Sequence, residues 1–265
     1  MIPVGWCDCM SRYLSESKAL FLHIPRTGGS WIERAFLRWG IGQVKRYDVA
    51  DRYRPRKHTL LGYYRNQSLI DVEFVFSFVR HPVSYYESVW RWLTSAMDVR
   101  KKDFGNDKRP WSPNTEAYKW YRPKFTDWVE LMLEHQPGWV TRLFELYIGP
   151  EKGEFCCYVG RMESLLDDFC EVMSLLGYDK QVDKNKGERI HYTNSVRCAV
   201  VPRVIWPEDL RQQVERTERL IIRRFYSEET MTDRFYAGLA LSENQCVWGC
   251  SKRMQAMNEK LRQRD

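Results

Sequence analysis

The segment that most constrains this chain lies near its beginning, where an apolar run passes through a glycine turn straight into a helix. Ala19-Leu20-Phe21-Leu22-His23-Ile24 is short and apolar, the pattern of a buried strand. Pro25-Arg26-Thr27-Gly28-Gly29 forms the turn. Ser30-Trp31-Ile32-Glu33-Arg34-Ala35-Phe36-Leu37 then opens on a hydroxyl with Glu33 three residues on, a capping-box spacing that predicts a helix with Ser30 as its N-cap.

The unit recurs in modified form. Glu73 to Val79 is dense in β-formers and predicts a second central strand. It ends at Arg80-His81-Pro82, with Pro82 placed to open a helix running through Ser84, Ser88 and Trp92. From Met97 to about Pro123 the chain is charged and irregular, which predicts a long, lid-like loop. A helix is expected from Lys124 to Glu134, a third strand from Phe155 to Val159, and an amphipathic helix from Glu163 to Leu176 that Gly177 stops. Asp179 to Val204 is polar and loop-like. One long helix is expected from Pro207 to Tyr226, and a helical tail over 240–265. Strands alternating with helices predict an α/β fold, a mostly parallel central sheet flanked by helices on both faces. With no internal repeat and no low-complexity linker, 1–265 reads as a single domain with its core at about 19–226.

Composition narrows the partners. The net charge of +7 is spread along the chain, so it fits a solvated basic surface as well as an anionic ligand drawn to a positive cleft. No apolar run approaches the roughly 20 residues that span a bilayer. The first residues lack the basic and apolar regions of a signal peptide. A cytoplasmic location, with neither membrane nor nucleic acid as partner, is therefore expected. In that compartment the eight cysteines are thiols. Cys7 and Cys9, with Cys246 and Cys250, have no histidine at ligand spacing, so no metal is expected. Cys156, Cys157 and Cys170 lie in apolar runs and read as core.

Two constellations carry chemistry. In the first, Gly28 and Gly29 let backbone approach an anion, and the helix start supplies N–H groups. Thr27 and Ser30 add hydroxyls, and Arg26 a permanent charge. Gly-Gly alone would also fit an ordinary tight turn. The loop lacks the Gly-x4-Gly-Lys-Ser/Thr pattern, and the second strand ends in Arg-His where a nucleoside triphosphatase would offer an aspartate for magnesium. In the second constellation, Ser84 and Ser88 share one helix face, so Arg80 and Ser88 can clamp a phosphate from two sides. Arg80 alone would read as a surface ion pair.

Together the two resemble a known family. Pro25-Arg26-Thr27-Gly28-Gly29-Ser30-Trp31 resembles the 5′-phosphosulfate loop of sulfotransferases that use 3′-phosphoadenosine-5′-phosphosulfate (PAPS), and Phe78-Val79-Arg80-His81-Pro82 with Ser88 resembles their 3′-phosphate segment. The wording is most similar to the carbohydrate branch, which includes the heparan sulfate 2-O-sulfotransferases. Val159-Gly160-Arg161-Met162-Glu163 resembles the family's middle segment, and Lys186-Gly187-Glu188-Arg189 its late basic loop. The resemblance covers roughly 19–226. It implies a P-loop-like topology with PAPS across the ends of the first two strands, bound by Arg26, Thr27, Gly28, Gly29, Ser30, Trp31, Arg80, Ser88, Lys186 and Gly187. The family usually has lysine where this chain has Arg26; arginine can stabilise leaving-group charge but does not donate a proton.

Sulfuryl transfer to a hydroxyl needs a base. His23, His58, His81, His135 and His191 are the histidines of the chain. His58 falls where carbohydrate-type relatives place a Lys-His pair, and Lys57 precedes it; it is the leading candidate. Glu33 is the runner-up, because some glycan sulfotransferases use a glutamate in the first helix. His23 is expected to pack in the core or support the loop, and His81 to orient the Arg80 turn. Tyr85, Tyr86, Trp90 and Trp92 read as core, while Trp111, Trp120 and Tyr121 could stack on a sugar ring, with Lys101, Lys102, Lys108 and Arg109 attracting an anionic glycan. The expectation is a PAPS-dependent sulfotransferase acting on a hydroxyl, with a glycan as the favoured acceptor. The alternatives are a P-loop-like nucleotide kinase and a non-catalytic glycan-binding protein that keeps the nucleotide pocket.

Overall fold

The computed structural model describes residues 11–41, 44–45, 72–99, 115–149, 158–183 and 204–227. His58, Lys186, Gly187, Trp111, His191, the basic residues from Lys101 to Arg109, the 240–265 tail and the cysteines other than Cys170 lie outside them. Cys170 is half-buried.

Three strands run parallel in the middle of a mixed sheet: β2 (Ala19–Leu22), β4 (Phe74–Val79) and β5 (Tyr158–Arg161). Their register pairs Leu22 with Ser77 and Val79 with Arg161, so the three strands end close together. Within β4, the buried Ser77 hydroxyl donates to the Leu22 carbonyl at 2.8 Å, which satisfies the strand's one polar side chain. Two short strands extend the β2 side antiparallel: β1 (Arg12–Leu14) pairs with β2, and β3 (Val44–Lys45) with β1. The sheet order is β3-β1-β2-β4-β5 among the described residues. Neither antiparallel strand is expected from the sequence, because three and two residues are too few to show alternation.

Alternation along β2 and β4 divides the core. Phe21, Phe74, Phe76 and Phe78 face one layer, packed against α1 (Gly29–Trp39) and α6 (Leu165–Leu175). Leu20, Leu22, Val75 and Val79 face the other. There they meet α2 (Pro82–Val99), α4 (Phe125–His135), α5 (Trp139–Ile148), α7 (Glu208–Thr217) and α8 (Arg219–Tyr226). A strand buried on both faces reads as a near-continuous apolar run, and both strands do. The class is α/β, parallel strands flanked by helices. No helix among the described residues is long and apolar enough to cross a membrane.

Five features differ from what the sequence predicts. The first helix starts one turn-residue earlier, with Gly28 as N-cap and no side-chain cap, so Ser30 and Glu33 form no capping box. Glu33 instead pairs with Arg12 at 2.6 Å, both being only 11% exposed. The expected loop from Met97 is shorter, since α2 continues to Val99 and α3 (Thr115–Lys119) lies inside it. The helix α5 has no counterpart in the reading, and the expected single helix from Pro207 to Tyr226 is two helices that meet at Glu218. The third strand, described over Tyr158–Arg161, continues past the expected end at Val159. Gly177 does stop α6: at φ +85° its N–H donates to Ser174 and that of Tyr178 to Met173.

Candidate functional site

The parallel strands deliver three arginines to one edge of the sheet. Arg26 follows β2, Arg80 follows β4, and Arg161 ends β5. In the turn after β2, Arg26 adopts φ +67°, a left-handed conformation that costs a non-glycine residue on the order of 1 kcal/mol. From there its Nε donates to Ser88 Oγ at 3.2 Å, on the first turns of α2. Arg80 Nη1 in turn approaches the Arg26 carbonyl at 3.4 Å. The two sequence constellations, separated by 62 and 54 positions at these bonds, therefore meet.

The rest of the first turn is braced from within. The Thr27 hydroxyl is buried and donates to the Ile24 carbonyl at 2.9 Å. His23 is also buried, stacked on Phe21, and its ring fills the space a side chain at 29 would need: a Cβ there would lie 1.9 Å from His23 Cδ2. At Gly28, φ is +93° and a Cβ would meet Met162 Sδ and Leu165 Cδ2 at 2.8 Å. Gly28 is thus demanded by its left-handed backbone, and Gly29 by the His23 ring packed against it. Trp31 packs its ring against Trp39 and Phe169 in the core. Ser30 lies half-buried on the first turn of α1. That turn has no acidic residue, so the positive end of the helix receives no carboxylate from it.

The second turn is held from β5. His81 N–H donates to Glu163 Oε1 at 2.9 Å, and the His81 carbonyl accepts from Tyr85 to begin α2. Glu163 Oε2 accepts from Tyr226 Oη at 3.0 Å. The His81 ring stands edge-on to Tyr226, and the Arg161 guanidinium lies 5.9 Å from the same ring. Arg161 is itself placed by Asp168, whose carboxylate accepts its N–H at 2.6 Å. Gly160 precedes it because the Phe78 ring leaves no room for a Cβ, which would lie 2.4 Å from Cε1.

Burial dominates the electrostatics. It lowers the pKa of Arg80, against the opposing pull of Glu163 and Glu87, and the guanidinium stays charged. Burial also lowers the His81 pKa despite Glu163, which favours a neutral ring. Among the described residues, Arg80 Nε and the fully buried Tyr85 hydroxyl have no hydrogen-bond partner. Burial raises the Tyr85 pKa far above neutrality, with Arg26 and Arg80 opposing, so the phenol keeps its proton. A partly desolvated guanidinium beside a protonated phenol, a serine and a second arginine can offer charge and hydrogen-bond donors to an anion. Among the described residues no group of His, Cys, Asp and Glu could hold a metal ion.

Other sequence candidates fall elsewhere. Glu33 is engaged by Arg12. Tyr85, Tyr86 and Trp90 are core, as read, and Trp92 packs edge-on to Tyr118. Trp120 is not an open platform: His135 stacks on it at 3.8 Å and Lys119 lies over the ring. Arg161, Glu163 and Tyr226 had no assigned role, although Arg161 and Glu163 sit in the segment that resembles the family. Tyr226 could not be placed from sequence, since nothing local links it to a strand end 63 positions away. No family model matches the chain, and neither does a curated protein or a solved structure.

Proposed function

We propose that the chain is a PAPS-dependent sulfotransferase of P-loop-like topology that transfers the sulfuryl group to a hydroxyl, with a glycan as the favoured acceptor. The observation that carries this is the bond from Arg26 to Ser88, with Arg80 against the Arg26 carbonyl. It joins a glycine turn at one strand end to an arginine-serine pair at the next, which suits a ligand bearing two phosphate groups. A nucleotide kinase is disfavoured because the strand ends offer arginines where magnesium would need a carboxylate.

In this reading Arg80 and Ser88 hold the 3′-phosphate. Arg26 and the start of α1 take the 5′-phosphate, with Gly28, Gly29 and Ser30. The acceptor oxygen attacks sulfur in line; the bond from sulfur to the 5′-phosphate oxygen breaks, and its electron pair stays on that oxygen. Arg26 is more strongly attracted to that oxygen as its charge grows, so it favours the transition state over the ground state. Arginine in place of lysine supplies charge without a proton. His58 takes the acceptor's proton; Glu33 serves less well while paired with Arg12. Lys186 and Gly187 close over the nucleotide, and the charged stretch after α2 forms the lid and carries acceptor choice.

Turnover of radiolabelled PAPS across a panel of glycans tests the activity, and product formation on at least one acceptor is expected. Thermal protection by 3′-phosphoadenosine 5′-phosphate but not by ATP with magnesium separates the reading from a kinase. Protection by the bisphosphate without turnover on any acceptor would favour the non-catalytic glycan binder. His58→Ala should keep that protection and lose turnover by about 10²–10⁴-fold; full activity would move the role, and Glu33→Gln is then the next variant.

A further inference from the structure

The carboxylate of Glu163 bridges two elements that both border the arginine cluster. One oxygen accepts the backbone N–H of His81, in the turn that carries Arg80; the other accepts the hydroxyl of Tyr226, near the end of α8. Glu163 itself stands on the 3₁₀ turn Met162–Ser164 that follows β5. The bridge therefore ties the end of β5 and the last described helix to the Arg80-His81 turn that follows β4. A backbone donor held by a carboxylate fixes the turn's position more firmly than a neutral acceptor would. The neighbouring rings tighten the same point, with His81 edge-on to Tyr226 at 4.9 Å.

We propose that Glu163 is a positioning residue for Arg80, and that Tyr226 completes the device, so that α8 sets how well the site grips the phosphate assigned to Arg80. This rests on the reading of the site as a PAPS site. Glu163 contacts no reacting atom in this scheme; it acts through the Arg80-His81 turn. The neighbouring glycine turn touches the same region through the Arg80 bond to the Arg26 carbonyl and the packing of Met162 on Gly28, but it has braces of its own in Thr27 and His23, so loosening Glu163 should disturb the 5′-phosphate position less than the 3′-phosphate position.

That separation gives the test. Titration calorimetry of the full chain would compare 3′-phosphoadenosine 5′-phosphate with adenosine 5′-phosphate, which lacks the group Arg80 is assigned to hold. Glu163→Ala is expected to weaken the bisphosphate by about 10-fold, the effect of losing a hydrogen bond to a charged group, and the monophosphate by less than about 2-fold. Glu163→Gln keeps an acceptor for the His81 N–H and should recover most of the loss. Tyr226→Phe, a milder change, should weaken the bisphosphate alone by about 3-fold. Equal weakening of both ligands, or no weakening of either, in whichever of these variants fold would overturn the positioning role. A wild-type chain that binds neither ligand would overturn the PAPS reading itself, which is a different result.

Discussion

The helices α1 and α5 begin alike and are treated in opposite ways. Each has a glycine N-cap in the left-handed region, and neither has a side-chain cap or an acidic residue in its own first turn. The start of α5 is nevertheless fully supplied. Glu218 is buried at the junction of α7 and α8. Its carboxylate accepts the N–H groups of Val140 and Thr141, the Thr141 hydroxyl at 2.6 Å, and the Tyr86 hydroxyl at 3.3 Å. A carboxylate at a helix N-terminus meets both the free donors and the positive end of the dipole. At α1 the protein supplies cations instead: Arg26 within the turn, and Arg80 against the Arg26 carbonyl. The same physical need is met by a carboxylate of the chain in one place and, in the proposed reading, by an incoming anion in the other. A buried charge with every partner in place holds structure together. Arg80 keeps an Nε without a partner among the described residues, and that donor is what the proposed anion would meet.

The comparison breaks first at Glu218. Glu218→Ala would leave two buried backbone donors and two hydroxyls without their acceptor, and should cost about 4 kcal/mol of stability, read by denaturant unfolding. Donor affinity in the fraction that remains folded should be unchanged. A loss below about 1 kcal/mol would mean that the cap is not structural.

Arg80 should behave in the reverse way. Arg80→Ala is expected to weaken PAPS and its desulfated product equally, by about 2–4 kcal/mol in calorimetry, because both carry the phosphate it clamps. Stability should hold or rise, since a partly desolvated charge is removed. Ser88→Ala should weaken both ligands in the same direction by less. Unchanged product affinity in Arg80→Ala would sink the assignment.

Arg26 sharpens the difference between binding and chemistry. Arg26→Ala should slow the single-turnover step by about 100-fold, more than it weakens the donor, because charge on the leaving oxygen grows in the transition state. Arg26→Lys should retain much of the rate, though it gives up the Nε bond to Ser88. A normal single-turnover rate with weakened donor affinity would reduce Arg26 to a binding residue.

Much of this was legible in the chain. The strands Ala19–Leu22 and Phe74–Val79 announce themselves because both faces are buried, and Pro82 and Gly177 mark helix ends by backbone chemistry alone. Arg80 and Ser88 could be paired in advance from strand and helix spacing, whereas Arg26 joined them through the resemblance to the sulfotransferases. The apparent capping box at Ser30 misled, because Arg12 on an unrecognised strand captures Glu33. Glu218 left no signal: it lies within an amphipathic pattern, and only the packing of α5 against it turns it into a cap. Glu163 and Tyr226 were hidden for the same reason, since a long-range hydrogen bond leaves no local period. Local rules reveal where backbone must turn; they do not reveal which distant carboxylate it will meet.

The smallest expected effect is a pH dependence that separates Glu218 from the other buried acids. Burial raises its pKa above the ordinary 4.5, and the hydrogen bonds from Thr141, Val140 and Tyr86 only partly offset this. Between 4.5 and the raised value, the folded state holds a proton that the unfolded state has released. The folded state therefore binds more protons in that window, and the contribution of Glu218 to stability falls as pH rises through it. Asp168 is also raised by burial and would add a similar slope, so wild-type melts alone cannot assign it. Comparison with Glu218→Gln removes the shared part, because glutamine does not titrate. The variant should be less stable throughout, since its amide nitrogen faces donors, and its deficit should widen as pH is lowered toward 4.5. Parallel melting curves across that range would show that Glu218 titrates as an ordinary carboxylate, and would put its burial as a charge in question.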